Sequence, residues 1–296
     1  MRILITGCNG LLGQMLNVVA TRRRLDIWCT DKDDSAILEN YVQLDLTDQE
    51  AVSLTCERLN PDIIINCAAI TDVDFCEKDK ELASSVNSEA PLCLAKSSNS
   101  IGAHLIHVST DYVFDGKKGK YCEDDEPSPI NHYGCSKLLG EIYVKSTAKN
   151  WSIARTSVLY GWGREKRPNF ATWIVNGLRK RNRLNVITDQ FASPTFNVNL
   201  AEMLLELAER RLQGIYHLAG NDRIDRFSMA VRIAEEFCLD RTLLTPVTSD
   251  DLNWFARRPR DSSLSVDKAI RELKSTPMGL DTALEEMKLS ENRENC

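Results

Sequence analysis

Through the first 160 residues, short apolar runs alternate with longer amphipathic ones, and few folds accept that order. RILIT, LDIWCT, YVQLDL, DIIINCA and HLIHVST have the length and β-branched content of strands, and RILIT stops at Gly7. Between them, LLGQMLNVVATRRR, DQEAVSLTCERLN and ELASSVNSEAPLCLAKSSN carry apolar residues at helical spacing. The first of these ends in Arg22, Arg23 and Arg24, where a helix dipole favours basic charge. The alternation predicts βαβ units: an α/β fold with a doubly wound parallel sheet and helices on both faces. WSIARTSVLYG reads as a further strand. Beyond Gly161 the pattern loosens into helices (NFATWIVNGLRKR, NLAEMLLELAERR, FSMAVRIAEEFC) and short strands (LNVIT, GIYHLAG), with SENRENC as a frayed tail. The expected organisation is a nucleotide-binding domain over residues 1–160 and a smaller mixed α/β lobe over 161–296. Some segments of that lobe are expected to return to the first domain.

Bulk properties narrow the function. With 296 residues, 43% of them apolar, the chain can bury a sizeable core. A net charge of -6 supplies no basic field for nucleic acid. Ten cysteines without zinc-ligand spacing read as reduced thiols of an intracellular protein. MRILITG is too short an apolar run for a signal peptide, and no run reaches the roughly 18 residues that span a bilayer. A soluble cytoplasmic protein with no membrane partner is expected. The four histidines (104, 107, 132, 217) show no metal spacing and read as structural; no metal is expected.

TGCNGLLG sets glycines at 7, 10 and 13, a G-x-x-G-x-x-G turn between a strand and a helix. The physics of the dinucleotide fingerprint carries over. Gly7 permits the tight turn, Gly10 lets a pyrophosphate approach helix N-terminal N–H groups, and Gly13 lets the helix pack close. The same spacing also suits a tight turn with no ligand. Asp31, 18 residues past Gly13 and at the end of the second strand, stands where a carboxylate meets the adenosine ribose. It would repel a 2′-phosphate, which favours NAD(H) slightly over NADP(H). Lys32 and the Arg22–Arg24 run are the groups able to neutralise such a phosphate, although helix C-terminal charge explains the arginines.

HVSTDYVFDG places Thr110 at a strand end, the edge of an open α/β sheet where ligands bind. In NHYGCSKLLGE, Tyr133 and Lys137 lie four apart on one helix face. An ammonium near a phenol lowers its pKa from about 10, and a phenol so tuned exchanges a proton with a substrate C–O group. A packed tyrosine beside a surface lysine would give the same spacing. The preceding glycine turn, ribose acid and strand-end hydroxyl favour the catalytic reading.

TGCNGLLGQ, NCAAITDVDFCE, STDYVFDG, PINHYGCSKLLGE, DQFASPT, YHLAG and ARRPRDSSLS together carry a resemblance over almost the whole chain. It resembles the extended short-chain dehydrogenase/reductases and, among them, the dTDP-4-dehydrorhamnose reductases. The resemblance implies Thr110, Tyr133 and Lys137 as the catalytic trio. It implies Gly7, Gly10, Leu11, Leu12 and Gly13 as the pyrophosphate turn, and Asp31 as the ribose site. Asp45 and Leu46 fall on the adenine side, and Cys67, Ala68 and Ala69 along the cofactor. Asp111 and Tyr112 fall beside the sugar, and Arg258, with Arg257 and Arg260, at the nucleotide end. Asn169 either touches the sugar or caps a helix. The implied reaction is NAD(P)H-dependent reduction of the 4-keto group of a nucleotide-linked 6-deoxyhexose, dTDP-4-dehydro-L-rhamnose to dTDP-L-rhamnose. The implied partner is that small-molecule nucleotide sugar, and a homodimer is allowed for. Another nucleotide-sugar epimerase or reductase is the sister reading; a dehydratase would carry an acid pair just after the strand-end threonine and fits less well, because only Asp111 follows Thr110. A different class is a non-catalytic dinucleotide-binding subunit like the regulatory β subunit of methionine adenosyltransferase. The family often has a tryptophan directly after R-T-S. Here it is Val158, with Trp162 as the nearby substitute.

Overall fold

The computed structural model describes residues 1–34, 40–163 and 168–294. Strands β1 (Arg2–Thr6), β2 (Asp26–Asp31), β3 (Tyr41–Gln43), β4 (Ile63–Asn66), β5 (His104–Thr110) and β6 (Trp151–Thr156) join one sheet, and a later strand (Gly214–His217) completes it. All its pairings are parallel. From one edge the order is the late strand, β6, β5, β4, β1, β2, β3, so the winding direction reverses between β1 and β4. This is the doubly wound Rossmann arrangement, and its crevice opens at the carboxyl ends of β1 and β4.

Alternation within the strands sorts the core into two layers. Ile3, Ile5, Ile63, Ile65 and Ile106 face α1 (Leu11–Arg22) and a helix from the second half, Asn197–Arg210. Leu4, Ile64, Leu105 and Ile153 face α2 (Gln49–Leu59) and the helix Ala90–Ile101. Full burial of each such side chain contributes roughly 1.5–3 kcal/mol. The run ELASSVNSEAPLCLAKSSN is not one regular helix. Between α3 (Val73–Lys78) with α4 (Lys80–Ser84) and α5 (Ala90–Ile101), residues Ser85–Glu89 form a π-helical turn. That turn aims Asn87 at the Ile70 N–H (2.8 Å) and Ser88 at the Ser136 carbonyl (2.7 Å) of α6 (His132–Thr147).

The second half supplies β7 (Leu159–Tyr160), α7 (Phe170–Arg179), β8 (Leu184–Ile187), β9 (Phe191–Ala192), β10 (Thr195–Phe196) and α8 (Asn197–Arg210). After the late sheet strand, β11, come β12 (Ile224–Asp225), α9 (Arg226–Glu236), β13 (Leu244–Val247), α10 (Asp267–Glu272) and α11 (Leu280–Glu294). A separate core packs α7, α9 and α11 around Tyr160, Val186 and Phe196.

Two sequence expectations need correction here. WSIARTSVLYG is two strands, because Val158 adopts φ +42, outside strand geometry and uncommon for a β-branched residue. The break is held by the Thr195 hydroxyl on the Ser157 carbonyl (2.7 Å) and the Thr195 N–H on the Val158 carbonyl (3.2 Å). SENRENC is not frayed as far as Glu294. Helix α11 runs through it, anchored by buried Leu280, Leu284 and Met287. Residues 295–296 lie outside the described residues. Among the described residues, no helix is long and apolar enough to cross a membrane.

Candidate active site

The glycine turn lies at the switch point. Gly7 has φ +68, and a Cβ there would sit 2.7 Å from the backbone of Ala68, so the turns after β1 and β4 touch. At Gly13 a Cβ would lie 2.4 Å from the Gly7 carbonyl, which keeps α1 hard against the turn. Gly10 differs: its Cβ would meet only the Gly7 oxygen, at 3.3 Å, and the residue is exposed. It is the N-cap of α1 and, as a glycine, brings no side chain to bond the helix's first N–H groups. Helices α2, α6, α7 and α9 close theirs with Asp48, Asn131, Asn169 and Asp225. An open helix start with room above its cap has the shape and polarity for a phosphate.

Around that cradle, Asp31 Oδ2 accepts from the Asn9 N–H at 3.0 Å, so the carboxylate borders the turn. Asp45 is exposed, and Thr47, through its N–H (2.9 Å) and hydroxyl (2.8 Å), holds its carboxyl below the usual range. Leu46 is buried in the core layer beneath α2. Cys67, Ala68 and Ala69 line the exit of β4, partly exposed. Arg22–Arg24 end α1, away from the cradle, and Arg23 reaches Glu209 at 3.5 Å.

The second cluster stands at the ends of β5 and α6. Asn131 caps α6 through the Gly134 N–H at 2.8 Å, and Tyr133, Lys137 and Glu141 then recur every four residues on one face. Arg155 of β6 grips Glu141 bidentately (2.9 and 2.7 Å) and fixes the helix on the sheet. Both are buried, so removing one partner should cost about 3–5 kcal/mol. Lys137 is buried, and its Nζ donates to the Val108 carbonyl at 2.7 Å. Burial lowers its pKa to about 8 against the opposing pull of Glu141 and Cys67.

His107 adds a neighbour that the spacing of histidines in the sequence did not reveal. The Thr6 hydroxyl (2.7 Å) and the Ala68 N–H (3.2 Å) both donate to Asn66 Oδ1. The Asn66 amide nitrogen therefore faces His107 Nδ1 at 3.1 Å. That nitrogen must accept, so the ring hydrogen sits on Nε2, 3.4 Å from Lys137 Nζ.

Tyr133 is not lowered by its lysine in this arrangement. Burial pushes the phenol above its ordinary value while the Thr110 hydroxyl pulls it back. One N–H of the Lys137 ammonium goes to the Val108 carbonyl, and burial keeps the phenol in its protonated form. Thr110 donates to Asp111 Oδ1 (3.1 Å) and accepts from the Tyr112 N–H (3.2 Å).

On the opposite wall several expectations shift. Asp111, expected beside the sugar, turns inward: it is buried and takes hydrogen bonds from Ser157, Ser262 and Thr110. Tyr112 stays in the crevice, edge-on to Tyr133 with ring centroids 5.8 Å apart. Asn169 is a helix cap, accepting from the Thr172 N–H (3.2 Å) and donating to the Gly161 carbonyl (2.7 Å). Trp162 does not replace the missing tryptophan. Its indole N–H goes to the Met287 carbonyl at 2.7 Å, and its ring packs against Phe237 in the second core. Of the three arginines in ARRPRDSSLS, Arg258 is drawn in, paired with Asp74 at 3.1 Å and lying over Trp254, while Arg257 and Arg260 are exposed. The sequence reading missed Gln190, whose amide donates to the Tyr112 hydroxyl at 3.1 Å, and Arg226 behind it. No periodicity marks either one. Among the described residues, no group of three or more His, Cys, Asp or Glu could hold a metal.

Comparison with known proteins gives a family match. The model of the RmlD substrate binding domain matches residues 1–291. A dTDP-4-dehydrorhamnose reductase of Mycobacterium tuberculosis is 36% identical over 272 residues, 89% of this chain and 84% of that protein. The methionine adenosyltransferase 2 subunit beta of Mus musculus is 34% identical, over 90% of this chain and 81% of its own length. Among solved structures, the dTDP-4-dehydrorhamnose reductase of Bacillus anthracis in complex with NADP superposes with a TM-score of 0.89. It is 32% identical, covering 98% of this chain and 99% of that one.

Proposed function

The chain belongs to the RmlD substrate binding domain family, and from that membership we propose that it reduces the 4-keto group of a nucleotide-linked 6-deoxyhexose with a nicotinamide dinucleotide. The substrate we infer is dTDP-4-dehydro-L-rhamnose and the product dTDP-L-rhamnose. One observation supports the reading: Thr110 at the end of β5 and Tyr133 and Lys137 on one face of α6 stand near a helix start without a side-chain cap at the switch point.

The residues present fit the dinucleotide. The N–H groups of Leu11 and Leu12 would hold its pyrophosphate, and the space over Gly10 admits it. Asp31 would accept from the ribose hydroxyls, and its charge favours NADH over NADPH. The bound dinucleotide supplies the hydride. Thr110, turning its hydroxyl from Asp111, orients the substrate carbonyl. Tyr133 gives its proton to the oxygen as negative charge develops there. The phenolate so formed is stabilised by Lys137, whose ammonium keeps two further N–H donors beside its bond to Val108 for the phenolate and the nicotinamide ribose. Glu141 and Arg155 hold the helix that carries both groups. We read residues 1–160 as the dinucleotide side and 161–296 as mainly the substrate side, with α8 and β11 packed into the first.

The test is turnover of dTDP-4-keto-6-deoxyhexose with NADH and with NADPH, followed at the nicotinamide absorbance. Consumption of the reduced cofactor with formation of the 6-deoxyhexose is the expected result. Dinucleotide binding with no turnover would favour a non-catalytic subunit; the mouse relative is named a subunit beta of methionine adenosyltransferase 2.

A further inference from the structure

Among the described residues, the second lobe sends a cation, Arg226, toward the crevice without a carboxylate at ion-pair distance. Arg226 opens α9, and its backbone N–H bonds the Gln190 carbonyl at 3.2 Å. Its Nε reaches Gln190 Oε1 at 3.3 Å, and its guanidinium lies over the Phe170 ring, 5.1 Å from the centroid. The Gln190 amide cannot turn round. Its Nε2 serves the Pro259 carbonyl (3.4 Å) and the Tyr112 hydroxyl oxygen (3.1 Å), and a carbonyl takes only donors. Three contacts thus fix the guanidinium plane and aim its terminal nitrogens toward Tyr112.

What is missing is an anion. Among the described residues, no carboxylate lies within ion-pair distance of Arg226, whereas buried Arg155 has Glu141 at 2.7 Å and Arg258 has Asp74 at 3.1 Å. The nearest acid acting on it, Asp111, is spent on three hydroxyls. Burial holds the Arg226 pKa below the ordinary arginine value, and the opposing pull of Tyr112 and Asp111 offsets it only in part. Tyr112 adds a donor, because its oxygen already accepts from Gln190 and its O–H hydrogen remains for a ligand. A desolvated guanidinium beside a phenol O–H calls for a ligand oxygen with negative charge.

We propose that Arg226 and the Tyr112 hydroxyl form the seat for an oxyanion of the substrate, either a phosphoryl group of its nucleoside diphosphate or a carboxylate on its sugar, and so decide which sugar nucleotides enter. The inference rests on the nucleotide-sugar reading above and assigns that substrate's anion to one residue. The experiment is calorimetry on the full chain, wild type against R226Q and R226K, with dTDP, thymidine, NADH, and the pair UDP-glucuronate and UDP-glucose. If the anion is the diphosphate, the wild type binds dTDP more tightly than thymidine. R226Q then loses roughly tenfold or more in dTDP affinity, the scale of a charge-assisted hydrogen bond, and R226K recovers part of it. Thymidine and NADH affinities stay unchanged. If the anion is a sugar carboxylate, R226Q leaves dTDP alone and abolishes the preference for UDP-glucuronate over UDP-glucose. A merely structural clamp predicts a lower melting temperature and equal weakening of every ligand, and that result overturns the proposal. So does an R226Q that matches the wild type for both anions, or a wild type that binds neither. A wild type that shows the Arg226-dependent binding yet never turns over a keto sugar keeps the seat and removes the reductase reading instead.

Discussion

On the wall of the crevice assigned above to the dinucleotide, Gly7–Gly13 and Cys67–Ala69 follow directly from strands of one continuous sheet, and Asp31 ends another. On the wall proposed for the sugar, Tyr112, Gln190, Arg226 and Arg258 come from four segments, and the middle two adjoin strands of only two residues. The first wall is positioned by backbone: N–H groups, a turn, and glycines whose missing side chains create the space. The second is positioned by side chains holding one another, as Gln190 holds both Tyr112 and Arg226. A wall made by backbone tolerates change everywhere except where a Cβ intrudes. A wall made by interlocked side chains transmits each substitution to its neighbours.

Tyr133 sits between the walls, and its loss should have the largest effect. Tyr133→Phe keeps the ring against Tyr112 and removes the proton. Turnover should fall by roughly 10²–10⁴-fold with melting temperature and dinucleotide affinity intact. Stopped-flow and thermal melts check this, and near wild-type turnover would make Tyr133 a packing residue. Next in size is Gly10→Val. The added Cβ meets only the Gly7 oxygen at 3.3 Å, so the variant should fold while its side chain fills the phosphate space. Calorimetry should find no dinucleotide binding but retained dTDP binding. Unchanged dinucleotide affinity would take the turn out of the site. Lys137→Met should act on both walls, lowering turnover and weakening the dinucleotide by about tenfold. With a pKa of about 8, the lysine loses its charge as pH rises through that value. Dinucleotide affinity should therefore fall over the same interval in the wild type and become flat in the variant.

The contrast also explains what was legible in the sequence. Strand alternation, the glycine trio and the four-residue spacing of Tyr133 and Lys137 are local patterns. A local pattern predicts local geometry whatever surrounds it. The sheet and the strand-end placement of Thr110 follow from such patterns. Val158 defeated them, because its positive φ is imposed by Thr195, far along the chain. The fate of Asp111 depends on Ser157 and Ser262, and that of Trp162 on Met287 in the last helix. Arg226 and Gln190 escaped for the same reason: each is ordinary in its own segment and becomes a site only where segments converge. The resting partner of Lys137 was hidden too, since the Val108 carbonyl that takes its Nζ is a backbone group with no sequence signature.

The smallest predicted effect tests whether the backbone-built wall also uses a charge. Asp31 has two roles that coincide in space. Its Oδ2 accepts from the Asn9 N–H at 3.0 Å, and under the proposed cofactor placement its negative charge stands where a 2′-phosphate would come. Asp31→Ala removes both roles. Asp31→Asn keeps an acceptor for Asn9 and removes only the charge. If charge sets the preference, both variants should raise NADPH use relative to NADH by about tenfold, ~1.4 kcal/mol. The shift should shrink at high salt, because the carboxylate is partly exposed and the Debye length is only about 8 Å at physiological ionic strength. If the bond to Asn9 matters instead, Asp31→Asn should resemble the wild type and Asp31→Ala should weaken both cofactors equally, since a loosened turn does not distinguish them. Ratios of kcat/KM for the two cofactors at two salt concentrations separate these outcomes. A wild type that already binds NADPH much more tightly would show that exposed Lys32, next in the chain, outweighs the carboxylate.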